Sequence, residues 1–285
     1  MYTTLISPQD VSTQINNKNR VIIDCRFSLE DSERGRRDYS AAHIPNALYV
    51  HLNEDLSARI IPGKTGRHPL PEVETLVNTF SRRGIDGDTH VVVYDDATGA
   101  FAARLWWMLR WLGHDHVAVL DGGWKHWLKA GFPATGEVHK RNPRTFIPKP
   151  RPRMLVNAMQ VVNILNDSSY RILDARSPER FKGLNETIDP VAGHIPNAIC
   201  APFAGNVDAE GRMLSREKLS QRFKSLLGNI APDHAIFYCG SGVTACHNLL
   251  AMYHAGLGDG VLYAGSWSEW ITDTSRPVAT LNEKN

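Results

Sequence analysis

The sequence predicts an α/β protein made by tandem duplication of one domain, each copy a mainly parallel sheet flanked by helices. Short β-branched runs alternate with segments of helical apolar spacing, the pattern of strand–helix–strand units. Four stretches of the first half recur in the second, in the same order and at a near-constant offset. That period is far too long for a solenoid, so the repeating unit is a whole domain. With 285 residues, 42% of them hydrophobic, the chain has the length for two cores of ordinary size.

The first pair of matching stretches is Val21-Ile22-Ile23-Asp24-Cys25-Arg26 and Arg171-Ile172-Leu173-Asp174-Ala175-Arg176, each a buried-strand run ending in an acid. Next, His43-Ile44-Pro45-Asn46-Ala47 is matched word for word by His194-Ile195-Pro196-Asn197-Ala198. A second strand, His90-Val91-Val92-Val93-Tyr94, corresponds to His234-Ala235-Ile236-Phe237-Tyr238. The helix expected over residues 102–111 is apolar enough to be buried, and its tryptophans read as core or interdomain packing. Finally Gly122-Gly123-Trp124-Lys125-His126-Trp127 answers Gly265-Ser266-Trp267-Ser268-Glu269-Trp270. Between the copies, residues 140–153 are rich in Pro and Arg and read as an extended surface connector. The expected domains are therefore 1–139 and 154–285.

Composition excludes several classes. The 32 basic and 30 acidic residues leave a formal charge of +2, which gives no reason to expect nucleic acid. Lys140-Arg141 and Arg151-Pro152-Arg153 read as solvated linker. The opening Met1-Tyr2-Thr3-Thr4-Leu5-Ile6 lacks the basic and apolar regions of a secretory signal, and the apolar stretch 101–112 is interrupted by Arg104 and Arg110. The expectation is a cytoplasmic protein with no membrane association. The four cysteines, Cys25, Cys200, Cys239 and Cys246, form no CxxC pair and no zinc spacing, so they read as free thiols.

Chemistry concentrates in Cys239-Gly240-Ser241-Gly242-Val243-Thr244-Ala245. A strand-type run precedes it, and Ala245, Leu249 and Met252 follow at helical spacing, with Gly256 closing the segment. The thiol therefore stands at the carboxyl end of a strand beside a helix N-terminus, where backbone N–H groups favour the nucleophilic thiolate. The bland alternative, a buried cysteine beside an ordinary turn, does not account for this context on both sides. Superposing the repeats puts Asp95 at the position of Cys239, so the first copy has the scaffold without the reactive sulfur. Cys25, Cys200 and Cys246 read as packing residues.

The repeated Asp-x-Arg, His-Ile-Pro and Gly-x-Trp elements, with a cysteine loop in the second copy, resemble the two-domain rhodanese sulfurtransferases over essentially the whole chain. The loop is similar to that of the 3-mercaptopyruvate branch. The resemblance implies transfer of sulfane sulfur through a persulfide on Cys239, with no metal or organic cofactor. It implies a small anionic donor, and an acceptor that is a thiol, thioredoxin or cyanide. Arg180, in its Arg-Phe-x-Gly setting, matches the family's substrate arginine, and its planar fork suits a carboxylate. Gly240, Gly242, Val243 and Thr244 complete the expected substrate site. Residues 185–192, where the branch often carries a second arginine, contain none. A proton relay is implied through Ser241 and His43, with Asp31 or Asp38 as its acid, whereas Arg176, mirrored by Arg26, reads as structural.

Three other readings compete. A cysteine phosphatase needs Cys-x5-Arg, but Ala245 stands six residues after Cys239 and the loop has no cation. A non-catalytic sulfur-binding module would not need the cysteine. A thiosulfate sulfurtransferase shares the reaction type, but a neutral loop is a poor match for a dianionic donor.

Overall fold

The computed structural model describes residues 2–280. Met1 and residues 281–285, counted above within the two end domains, lie outside the described residues. Two compact units form. The first contains the chain up to Ala58, Pro71–Arg151 and Ala209–Met213; the second contains Arg59–Leu70, Pro152–Asp208 and the chain from Leu214 onward. Each half of the sequence thus lends a short segment to the other's unit, an exchange that the repeat-based boundaries did not include.

The first unit runs β1 (Leu5–Ile6), α1 (Pro8–Thr13), β2 (Arg20–Asp24), α2 (Arg34–Ala41), β3 (Ala47–Tyr49), α3 (Leu52–Asp55), α4 (Val73–Arg82), β4 (His90–Tyr94), α5 (Ala102–Trp111), β5 (Val117–Leu120) and α6 (Gly123–Lys129). Its five strands lie parallel in the order β1-β5-β4-β2-β3. Val21, Ile22 and Ile23 of β2 and Val91, Val92 and Val93 of β4 are all buried, as a sheet covered on both faces requires. Helix α5 is buried throughout, with Trp106 and Trp107 in the core. Its two buried arginines find partners, Arg104 in the Leu56 carbonyl and Arg110, through Nη1, in Asp115.

Residues 138–151 carry neither helix nor strand. They are nevertheless fastened to the first unit and not simply solvated. Arg141 donates to the carbonyls of Lys18 and Arg20, Arg144 pairs with Asp86, Arg151 with Asp115, and Phe146 is buried.

The second unit repeats the design as β6 (Leu155–Val156), α7 (Ala158–Ile164), β7 (Arg171–Asp174), α8 (Pro178–Lys182), β8 (Ile199–Cys200), α9 (Arg216–Leu227), β9 (Ala235–Tyr238), α10 (Ala245–His254), β10 (Val261–Tyr263) and α11 (Ser266–Trp270). The parallel order β6-β10-β9-β7-β8 is that of the first unit, strand for strand. The chain moves outward from β7 to β8, returns to the central β9, then winds the opposite way to β10. The carboxyl end of β9 is thus the switch point of the sheet, where α/β folds place ligands. The register sets Asp24 beside Tyr94 and Asp174 beside Tyr238. Asp95 and Cys239, each the next residue after its tyrosine, are therefore structural equivalents.

The duplicated words have duplicated structural tasks. Asp24 pairs with Arg26 and Asp174 with Arg176, and the guanidiniums stand 4.7 and 4.8 Å above Trp124 and Trp267. Both aspartates are fully buried, so each requires its partner. Arg176 is a structural residue. Among the described residues, no helix is long and apolar enough to cross a membrane.

Candidate active site

Cys239 follows β9 directly and is buried, with the loop of residues 239–244 folded back over its sulfur. The Gly242 N–H lies 3.1 Å from Sγ. Burial works against ionisation of the thiol and is the largest single influence. The Thr244 hydroxyl and the N–H groups of Ser241, Ala245 and Val243 together outweigh it, and the Cys239 pKa falls below the usual thiol value. Two other thiols move oppositely: burial pushes Cys25 well up and Cys200 up. Cys246 is buried and donates to the Gly242 carbonyl.

The loop is held from behind by the turn into α11. Trp267 N–H donates to the Cys239 carbonyl at 3.0 Å, and Ser268 N–H to the Gly240 carbonyl at 2.9 Å. Ser266 accepts from the Cys239 N–H and donates to the Tyr263 carbonyl. It does so at φ 55°, a costly conformation for a serine that these two hydrogen bonds offset. Gly242 sits at φ 75°, where a Cβ would overlap the Ala264 carbonyl, so no other residue fits there.

In the first unit the same cradle holds an anion of its own. The Asp95 carboxylate accepts from the N–H groups of Ala97, Gly99, Phe101 and Ala102 at 2.8–2.9 Å. The repeat thus preserves a nest of backbone donors, filled by a fixed carboxylate in one copy and by the Cys239 sulfur in the other.

The second unit gathers Cys239, Gly240, Ser241, Gly242, Val243, Thr244 and Arg180 at one place. His43 is not among them, which corrects the relay expected above. It belongs to the first unit, fully buried and stacked on Tyr39, with Nδ1 2.6 Å from the Tyr39 carbonyl and Nε2 3.0 Å from that of Glu137. Both nitrogens are engaged by the backbone, so the ring is a structural post. Its duplicate His194 is the same, stacked on Phe181 with Nδ1 on that residue's carbonyl. Asp31 pairs with Arg37 and Asp38 with Arg34.

The histidine that reaches Ser241 is His68, in the segment Arg59–Leu70 that the second unit incorporates. Its Nδ1 lies 2.7 Å from Ser241 Oγ, and the ring is buried. The preceding residue is anchored by its N–H, which donates to Ser268 Oγ at 3.0 Å. That residue, Arg67, supplies a second guanidinium to the site: a Cβ on Gly240 would stand 2.8 Å from Arg67 Nη2 and 3.4 Å from Arg180 Nη1. Residues 185–192 contribute acids. Glu186 accepts from Arg180 Nε at 3.0 Å and Arg176 Nη1 at 3.3 Å, and Asp189 pairs with both Arg180 and Arg67. Sequence reasoning missed Arg67 and His68 because residues 59–70 have no counterpart among the repeated stretches.

A duplicated parallel α/β domain with one low-pKa cysteine at the switch point of the second copy defines a class of thiol enzyme. The chain belongs to the rhodanese family: the rhodanese-like domain matches residues 7–130 and 157–273. Within that family it is a two-domain sulfurtransferase similar to the 3-mercaptopyruvate type. It is 47% identical to a probable 3-mercaptopyruvate sulfurtransferase of Pseudomonas aeruginosa, over 97% of this chain and 98% of the relative. Identity to a putative thiosulfate sulfurtransferase of Mycobacterium tuberculosis is 38%, over 90% of this chain and 89% of the relative. Among solved structures, 3-mercaptopyruvate sulfurtransferase from Leishmania major aligns with TM-score 0.84 and 30% identity, covering 97% of this chain and 76% of that one. SseA from Escherichia coli, a 3-mercaptopyruvate sulfotransferase, aligns with TM-score 0.81 and 29% identity, covering 94% and 100%.

Proposed function

We propose that the enzyme takes sulfur from a small thiol-bearing 2-oxo acid, with 3-mercaptopyruvate favoured, and passes it to a thiol, thioredoxin or cyanide through a persulfide on Cys239. In the first half-reaction the Cys239 thiolate attacks the donor's sulfur, forming an S–S bond as the C–S bond breaks. The electron pair of that bond passes to the carbon as an enolate, which takes up the proton the donor thiol gives up, so pyruvate leaves. The acceptor then attacks the outer sulfur and restores the thiolate. Ser241 and His68 are suited to carry the proton, and the donors from Ser241, Gly242, Val243, Ala245 and Thr244 to hold the charge on sulfur. Arg180 and Arg67 are suited to orient the carboxylate.

The observation that carries this reading is the 2.7 Å contact between Ser241 and His68 beside the thiolate. A thiol donor has a proton to move and thiosulfate has none. The second arginine at Gly240 is the feature that favours thiosulfate, since the site is not as poor in cations as the loop alone suggested. A cytoplasmic setting fits a mechanism that needs Cys239 reduced between turnovers. The test is kcat/KM for 3-mercaptopyruvate and for thiosulfate on the purified protein. Mercaptopyruvate is expected to be the better donor; a higher value for thiosulfate would overturn the assignment.

A further inference from the structure

We propose that Asp189 sets the charge of the donor that the Cys239 loop accepts, by neutralising the paired arginines beside Gly240. The inference rests on the reading of Cys239 as the sulfur-accepting thiolate and concerns selection among its anionic reactants. Asp189 is buried, and its two carboxylate oxygens take one arginine each, Oδ1 pairing with Arg67 Nη1 and Oδ2 with Arg180 Nη2 at 2.9 Å. Each arginine is thereby engaged on one side only. Among the described residues, Arg67 Nη2 and Arg180 Nη1 carry no hydrogen bond, and these are the nitrogens nearest Gly240. Two N–H-bearing edges, braced by Asp189 and on Arg180 also by Glu186, are left to meet an incoming anion.

The charge balance of this wall is even. Arg67, Arg176 and Arg180 face Asp174, Glu186 and Asp189, and the three carboxylates are each exposed by 2% or less. Charges so buried are little screened by salt. A reactant with one negative charge gains the two open N–H edges and meets no net charge from this wall. A dianion gains the same hydrogen bonds with no excess cation to balance its second charge. Asp189 is thus a positioning residue for both guanidiniums and a determinant of donor charge. Removing its charge leaves one uncompensated arginine at the loop.

The test uses Cys239 alkylation, which needs no sulfur donor. Iodoacetate carries one negative charge and iodoacetamide none, so the ratio of their rates reads the potential at the sulfur and cancels any change in thiolate content. Asp189→Asn should raise the iodoacetate-to-iodoacetamide ratio about three- to tenfold at low salt, the size expected of one unit charge acting over roughly a side chain's length. Arg67→Gln should lower it by a similar factor, and this arm stands even where Asp189→Asn yields no folded protein. The thiosulfate-to-mercaptopyruvate kcat/KM ratio should rise in Asp189→Asn. An unchanged or lower alkylation ratio in folded Asp189→Asn, or an unchanged one in Arg67→Gln, would overturn the proposal. Failure of the enzyme to turn over either donor would count against the function proposed above and leave the alkylation result to decide this one.

Discussion

Thr244 supplies a side-chain hydroxyl that holds the Cys239 sulfur, and replacing it tests how the loop makes a thiolate inside a buried site. Although Thr244 is the N-cap residue of α10, its side chain makes no capping bond, so Thr244→Val removes the contact to sulfur while leaving the helix start intact. A hydrogen bond to a charged acceptor contributes about 1.5–3 kcal/mol net. Lost from the thiolate alone, that lowers the thiolate population at acidic pH about ten- to a hundredfold. The remaining thiolate is more basic and more nucleophilic, with a Brønsted coefficient of about 0.4–0.5, which offsets roughly half of the loss on a logarithmic scale. Alkylation by iodoacetamide on the acid side of the profile should therefore slow about three- to tenfold, while the alkaline plateau rises and the midpoint moves upward. Thr244→Ser, which keeps the hydroxyl, should follow the parent. A Thr244→Val profile that overlays the parent's would refute the reasoning, because the backbone N–H groups alone would then hold the charge.

The two histidines separate catalysis from architecture: His68→Ala should cut kcat/KM for 3-mercaptopyruvate by about 10²–10⁴ with little change in Tm. His43→Ala should instead lower Tm and leave turnover per folded molecule near the parent's, and the reverse pattern would restore the relay read from sequence. His114 predicts a pH dependence of stability. It is 5% exposed, and burial, with His116 beside it, pushes its pKa from 6.5 down to about 4. Below pH 6.5 the unfolded chain takes up a proton that the folded one refuses, so stability is full above 6.5 and declines as pH falls toward 4. Between pH 7 and 5 this contributes roughly 2 kcal/mol of loss, which His114→Gln should abolish in urea titrations at the two pH values; an identical pH dependence in the variant would contradict it.

Much of this molecule was legible because it is written twice. Strands β2 and β7, and β4 and β9, show as paired apolar runs, and the repeats by themselves align Asp95 with Cys239. The same duplication held the clue to the misassigned histidine. His43 and His194 occur in identical words, and a word present in both the reactive and the unreactive copy points to shared architecture. Both rings stack on an aromatic side chain and bond a nearby carbonyl. Arg67 and His68 left no such trace. They lie in an irregular segment whose place in the second unit is decided by tertiary packing, through bonds such as that from Arg67 N–H to Ser268. The acids of residues 185–192 were visible only as a missing arginine, because their role depends on two guanidiniums far away in sequence. Gly240 shows a similar limit. Its backbone is outside the left-handed region, and what constrains a larger residue there is the Arg67 guanidinium. An arginine placed at 240 would meet two cations already present.

The claim on which everything else depends is that Cys239 alone carries sulfur between donor and acceptor. Intact-mass measurement after incubation with 3-mercaptopyruvate, without acceptor, tests it most directly. The parent should gain one sulfur atom, located on the peptide that contains Cys239 and discharged by added thiol or cyanide, and Cys239→Ser should gain none. A sulfur retained by Cys239→Ser, or found on Cys25, Cys200 or Cys246, would contradict the account.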